Sequence, residues 1–257
     1  MMRVENLSKR FKVDKKANVP KDRLDGKWFQ ALSNISFDAK SGEVIGLLGA
    51  NGAGKTTTLR LLSGILKADS GNIETDLASA EGDSRDYRRQ LGFLSGSKGL
   101  YERLTVRENL NFFARSYGLT SEQTNQQIDK LSQQLNLSDF IDRKVIELST
   151  GMRQRAAIGR ALVHDPQLVI FDEPTTGLDI VATEQVLSCI EQQKQAGKTV
   201  LFATHHMDEV QLLCDRILVI HQGQRNFFGT EAEFLSQYQA DSLVAALRGC
   251  LQLGVAK

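Results

Sequence analysis

Val44-Ile45-Gly46-Leu47-Leu48-Gly49-Ala50-Asn51-Gly52-Ala53-Gly54-Lys55-Thr56-Thr57 decides how this chain is built. Its first five residues form a short apolar run that reads as a buried strand, and the glycine-spaced residues after it read as a tight loop. From Lys55 onward, Leu59, Leu62, Ile65 and Leu66 recur at helical spacing, and Asp69-Ser70-Gly71-Asn72 is expected to turn the chain and close the unit. Strand, glycine loop and helix in this order cradle an anion. Glycines let backbone N–H groups turn inward, the helix N-terminus adds its dipole, Lys55 reaches the β- and γ-phosphates, and the Thr56 hydroxyl is a ligand for Mg²⁺. The pattern Gly-x4-Gly-Lys-Thr thus assigns Gly49, Asn51, Gly52, Ala53, Gly54, Lys55, Thr56 and Thr57 to nucleotide phosphates.

Working outward, apolar runs at 91–94, 168–171, 199–203 and 216–220 read as strands of the same sheet, partly parallel and separated by helical stretches. The run at 168–171 ends in Asp172-Glu173, and ligands collect at that end of the strands in an open α/β sheet. Asp172 is the metal-side carboxylate, and Glu173 is placed to polarise an attacking water. Between about 104 and 163 the pattern turns purely helical. Thr105-Val106-Arg107-Glu108 reads as a capping box, and Ile128, Leu131 and Leu135 continue one apolar face. After Gly229, Thr230-Glu231-Ala232-Glu233 reads as a second capping box, followed by a weakly amphipathic tail. The prediction is an α/β P-loop core over residues 2–235 with a helical subdomain inserted at about 104–163. The tail 236–257 receives no role.

Composition narrows the classes. A chain of 257 residues, 41% hydrophobic and 25% charged, can bury a large core. A net charge of +1 lacks the basic surplus of nucleic-acid binders, so none is expected as a partner. Cys189, Cys214 and Cys250 are odd in number and far apart, which fits neither a zinc site nor a disulfide framework and suits a reducing compartment. No stretch approaches the ~20 apolar residues needed to cross a bilayer, and Met1 to Lys12 lacks the apolar segment of a signal peptide. A soluble protein is expected, reaching any membrane through a partner.

Leu148-Ser149-Thr150-Gly151-Met152-Arg153-Gln154-Arg155 resembles the signature sequence of ATP-binding cassettes and stands 23 positions before Asp172, as in that family. Asp172-Glu173-Pro174-Thr175-Thr176-Gly177-Leu178-Asp179 and Thr204-His205 follow in the family's order, so the resemblance runs from about residue 2 to about 229. It implies a mixed sheet, an all-α signature subdomain and an antiparallel β region. It also implies ATP hydrolysis with Mg²⁺ held at Thr56 and Asp172. In the family two cassettes pair head to tail, so Ser149, Gly151 and Asp179 of a second copy would complete the ATP site at Lys55. His205 matches the switch histidine that bonds the γ-phosphate and orients Glu173, whereas His164, His206 and His221 match no motif position. An aromatic residue ahead of the first core strand stacks on adenine in the family; Phe11 fits best, and Trp28 and Phe29 are alternatives. The basic insertion from Asp14 to Lys27 reads as a solvated loop, with lipid headgroups or a partner as the functional alternative.

Two positions depart from the family pattern. Gly96 stands where many cassettes carry a glutamine, leaving backbone, water or Ser95 to supply that contact, and Met152 replaces a signature glutamine. Neither touches Lys55, Asp172, Glu173 or His205, so an active ATPase is expected. Gly-Met in the signature and Gly99-Leu100-Tyr101 after the third strand are similar to bacterial exporter cassettes, the sodium-efflux type included. That implies a place on the cytoplasmic side of the plasma membrane, where the groove beside 95–104 receives a helix of a separate membrane subunit. The cargo implied is sodium, another small ion or a drug. The alternative is a soluble cassette that remodels a cytosolic assembly. Only 94 positions separate Lys55 from Ser149, too few for the coiled-coil arm of chromosome ATPases.

Overall fold

Val44–Leu48 is buried at every position, as a strand covered on both faces must be, and forms the centre of the larger of two sheets in a computed structural model of the chain. The structure describes residues 2–13, 20–77, 85–95 and 99–253. The strands are β1 (Met2–Lys12), β2 (Leu24–Asp25), β3 (Trp28–Ala39), β4 (Val44–Leu48), β5 (Ser70–Thr75), β6 (Leu91–Ser95), β7 (Leu168–Asp172), β8 (Thr199–Ala203), β9 (Arg216–His221) and β10 (Gln224–Gly229). The helices are α1 (Lys55–Leu62), α2 (Arg85–Arg89), α3 (Val106–Ser116), α4 (Ser121–Gln134), α5 (Thr150–Leu162), α6 (Ile180–Gln195), α7 (Met207–Leu213), α8 (Glu231–Gln237) and α9 (Leu243–Leu253).

The larger sheet has the order β10-β9-β4-β8-β7-β6 and is parallel except for β10. Parallel neighbours need crossover connections, and the helical stretches seen in the sequence supply them. The second sheet, β2-β3-β1-β5, is antiparallel. Leu32, Ile35 and Phe37 on its inner face share a core with Ile45 and Leu47 of β4 and with Leu59 and Leu62 of α1. On the other face, α3, α4 and α5 gather Leu110, Ile128, Leu131, Leu135 and Ile158 into a core that reaches Val169 and Phe171 of β7. Side chains as large as Phe171 and Phe202, with no exposure, contribute about 1.5–3 kcal/mol each. The all-α segment therefore joins the sheet through continuous packing.

Both capping boxes form: Thr105 and Thr230 each accept from the N–H three residues on, and Glu108 and Glu233 bond back. Two expectations fail locally. α1 ends at Leu62, where the Ser63 N–H closes on the Leu59 carbonyl, so Leu66 is only partly buried and Ile65 is 59% exposed. Ser70-Gly71-Asn72 is no turn but the start of β5, paired with Ser8 and Glu5 of β1 across a bulge. Gly71 has φ +94°, and a Cβ there would lie 2.5 Å from the Asn6 carbonyl oxygen, so glycine serves close strand approach. α8 straddles position 235, and Leu243, Ala246 and Cys250 of α9 pack with Phe227 and Phe234 against β9 and β10. Among the described residues no helix is long and apolar enough to cross a membrane.

Candidate functional site

The loop after β4 lies at the carboxyl end of the parallel strands. Gly49 adopts φ +151°, and a Cβ would sit 2.1 Å from the Ile220 carbonyl oxygen, so no other residue fits between β4 and β9. Lys55 opens α1, is buried, and donates to the loop carbonyls of Gly49 (2.7 Å) and Ala50 (3.3 Å). Burial pulls its ammonium below the ordinary lysine value, against the attraction of Glu173 and Asp172. The Thr56 hydroxyl donates to Asp172 Oδ1 at 3.2 Å. Burial raises the Asp172 carboxyl above its usual range despite that bond, and the neighbouring Glu173 adds to the rise. These are hard oxygen donors on two elements that the fold brings together. Among the described residues no group of three or more His, Cys, Asp or Glu is arranged to hold a metal ion.

Glu173 follows β7 with φ +52°, a left-handed backbone that costs energy for a residue with a Cβ. Its N–H donates to the Ala203 carbonyl (2.9 Å), and Thr176 Oγ1 donates to its Oε2 (3.1 Å), which fixes both backbone and carboxylate. His205 Nδ1 lies 3.8 Å from Glu173 Oε1, beyond direct hydrogen-bond reach but on the same edge. The ring of His206 lies against that of His205 at 4.1 Å. Sequence reasoning did not single out Glu209, which is buried and accepts from the Thr204 hydroxyl at 2.5 Å; the same hydroxyl accepts from the His206 N–H. The turn carrying His205 is thus anchored from α7. The signal for it is a glutamate on the inner face of a short helix, invisible until the helix has a partner.

One cleft is lined by Phe11, Pro20, Arg23, Phe29, Ala31, loop residues 50–57 and Glu173. Phe11 and Phe29 are directly opposed on β1 and β3, so their side chains share a face. Trp28 pairs with Lys12, does not line the cleft and is flanked by Arg10. Of the basic insertion, 14–19 lies outside the described residues; its remainder brings Arg23 into the cleft instead of leaving it in solvent.

Ser149, Gly151 and Asp179 do not line that cleft. Ser149 caps α5, accepting from the Met152 N–H at 3.2 Å, and Asp179 caps α6, accepting from the Ala182 N–H at 2.8 Å. A Cβ on Gly151 would meet Leu178 and Ala182 at 3.6 and 3.9 Å, so the two helix starts are neighbours on one face. Beside them Ile180 is 79% and Val181 64% exposed. Gln154, buried in α5, donates to the Pro174 carbonyl at 2.8 Å and links the signature helix to the segment after Glu173. Gly96 lies outside the described residues, whereas Ser95 ends β6 in register with Asp172. The three cysteines are free, with Cys189 and Cys250 buried.

Residues 32–176 match the family described as ABC transporter. The chain is 38% identical over 244 residues to the ABC transporter ATP-binding protein NatA of Bacillus subtilis (strain 168), covering 95% of each chain. It is 40% identical over 194 residues to the Nod factor export ATP-binding protein I of Burkholderia orbicola (strain AU 1054), covering 76% of this chain and 64% of that one. A solved structure described as the ATP-binding subunit of an ABC transporter superposes with a TM-score of 0.83 at 27% identity, covering 97% of this chain and 98% of the other.

Proposed function

Since this chain belongs to the ABC transporter family as an ATP-binding, ATP-hydrolysing subunit of exporter type, we propose that two copies close head to tail on two ATP molecules and so drive export through a separate membrane subunit. The observation that carries this reading is a division within one chain. Lys55, Thr56, Asp172 and Glu173 converge on the loop, while Ser149, Gly151 and Asp179 gather on another face beside exposed Ile180 and Val181. Two helix starts and uncovered apolar side chains ask for a partner surface, and the loop of a second copy offers the anion.

In this reading Lys55 exchanges its bonds to the Gly49 and Ala50 carbonyls for the β- and γ-phosphate oxygens, and the α1 N-terminus receives the remaining charge. Thr56 and Asp172 would hold Mg²⁺, which neutralises phosphate charge when bound. Glu173, held by Ala203 and Thr176, orients and deprotonates the attacking water, and His205 bonds the γ-phosphate from the adjacent strand end. Phe11 stacks on adenine: Arg23 lies over Phe29 at 4.7 Å, closer than Lys9 stands over Phe11 at 5.7 Å, and Trp28 is outside the cleft. Loss of the γ-phosphate removes the contact that holds the two copies together.

The membrane subunit docks on the helical unit. Tyr101 and Phe112 stand half-exposed in edge contact, beside a hollow lined by Leu104, Glu108, Asn111 and Arg115. Buried Asn109 bonds the Tyr101 N–H and carbonyl and the Thr105 carbonyl, so this surface is rigidly joined to α3. The protein works from the cytoplasmic side of the membrane. The cargo, for which the exporter resemblance offers sodium, another small ion or a drug, is met by the membrane subunit. The test is to recover tagged protein from detergent-solubilised membranes with and without ATP. A multi-span membrane protein is expected with it, and recovery of soluble partners alone would replace transport by the remodelling of a cytosolic assembly.

A further inference from the structure

Arg23 lies in the nucleotide cleft yet belongs to neither the loop, the strand-end carboxylates nor the signature. It ends the 3-10 turn Lys21–Arg23, in a segment that sequence alone gives over to solvent. Its side chain crosses to the loop, where Nη2 donates to the Gly52 carbonyl at 3.1 Å, and its guanidinium lies 4.7 Å from the centre of the Phe29 ring. Nε and Nη1 are buried and find no acceptor among the described residues. A buried N–H without a partner is costly, and a cation is more costly than a neutral group. Burial accordingly pulls the guanidinium below the ordinary arginine value, against the opposing charge of Asp22.

Two unsatisfied donors beside a phosphate loop are explained at once by an anionic acceptor in the cleft. Arginine suits that role better than lysine: its planar fork can stack on an aromatic ring while presenting several N–H groups, and it keeps its charge where lysine loses it. We propose that Arg23 is a nucleotide-binding residue, its guanidinium stacked on Phe29 and its unpartnered N–H groups donating to oxygens of the bound nucleotide. The inference rests on the reading of this cleft as the ATP site. It adds a second cation to the cleft that holds Lys55, from outside the loop, and it couples nucleotide occupancy to the segment that leads into β3.

The experiment is calorimetric titration of the full chain with ATP, ADP and adenosine, for wild type, Arg23→Met, Arg23→Lys and Lys55→Ala, each first shown folded by its melting transition. Arg23→Met keeps the apolar stem and removes the donors, so ATP affinity is expected to fall about tenfold or more, with partial recovery in Arg23→Lys. A loss shared by ADP but not adenosine places the contact at the phosphates, and one shared by adenosine places it at the ribose or base; either supports the proposal. Wild-type affinity for ATP in Arg23→Met, with Lys55→Ala still impaired, would overturn the role of Arg23 alone. ATP affinity unaffected by both Arg23→Met and Lys55→Ala would overturn the assignment of the cleft as well.

Discussion

The loop side of the cleft and the signature face both present helix N-termini, α1 after Gly54 with no side-chain cap and α5 and α6 after the capping Ser149 and Asp179, and they differ in what those ends have to bind. On the loop side the residues that face the phosphates and the water already have local partners: Lys55 on its own loop carbonyls, Thr56 on Asp172, Glu173 between Ala203 and Thr176. On the signature face Ser149 and Asp179 cap their own helices, and the apolar neighbours Ile180 and Val181 are exposed. A site closed on itself can bind nucleotide alone. An open one acquires function from another molecule, and α5 with its Gln154–Pro174 bond makes one rigid piece of the two.

The largest effect expected separates chemistry from binding on the loop side. Glu173→Gln should lower kcat by about 10²–10⁴-fold while ATP still binds and a dimer accumulates, measured by phosphate release and light scattering. Normal turnover in this variant would remove Glu173 as the catalytic residue. Next, Gly151→Asp should cost about 10²-fold in kcat with little change in the ATP affinity of the isolated chain, because the added carboxylate opposes an anion held by the other copy. The site has room for a Cβ, with its nearest neighbours at 3.6 and 3.9 Å, so folding should survive and a melting curve would show it.

A smaller effect tests how the helical unit is joined to the sheet. His164, just after α5, bonds the Leu91 carbonyl of β6 through Nε2 at 3.0 Å and stacks at 3.8 Å on Tyr117. Burial pushes its imidazole down from 6.5 to about 4. The folded state therefore holds fewer protons than the unfolded chain between these values, so stability present above 6.5 is lost as pH falls toward 4, by up to about 3 kcal/mol. In urea unfolding at pH 7 and 4.5, His164→Phe should show less of this acid loss than wild type, and an equal loss would exclude the residue as its source. Smallest of all, Thr105→Ala should cost about 1 kcal/mol through the α3 cap and leave ATP affinity unchanged.

Much of this contrast was legible in sequence because it is local. A glycine loop after an apolar strand, acidic residues at the end of another and capping boxes are all short-range chemistry, and each was found in place. What escaped depends on neighbours distant along the chain. Ser70 to Asn72 have turn composition and become a strand because Ser8 and Glu5 of β1 pair with them. Ile65 and Leu66 keep helical spacing past a helix that has already closed at Ser63. Arg23 is one basic residue in a run of them, and only the approach of Phe29 and Gly52 sets it apart. Glu209 is likewise unremarked until α7 folds over Thr204.

The central claim is that each ATP site takes its loop from one copy and its signature from another, and complementation tests it most directly. Lys55→Ala and Gly151→Asp chains should each be nearly inactive alone. Mixed, they can form one whole site from the loop of the Gly151→Asp chain and the signature of the Lys55→Ala chain, so ATP hydrolysis should reappear. A mixture as inactive as its components, or a Gly151→Asp chain that hydrolyses ATP normally by itself, would contradict the account.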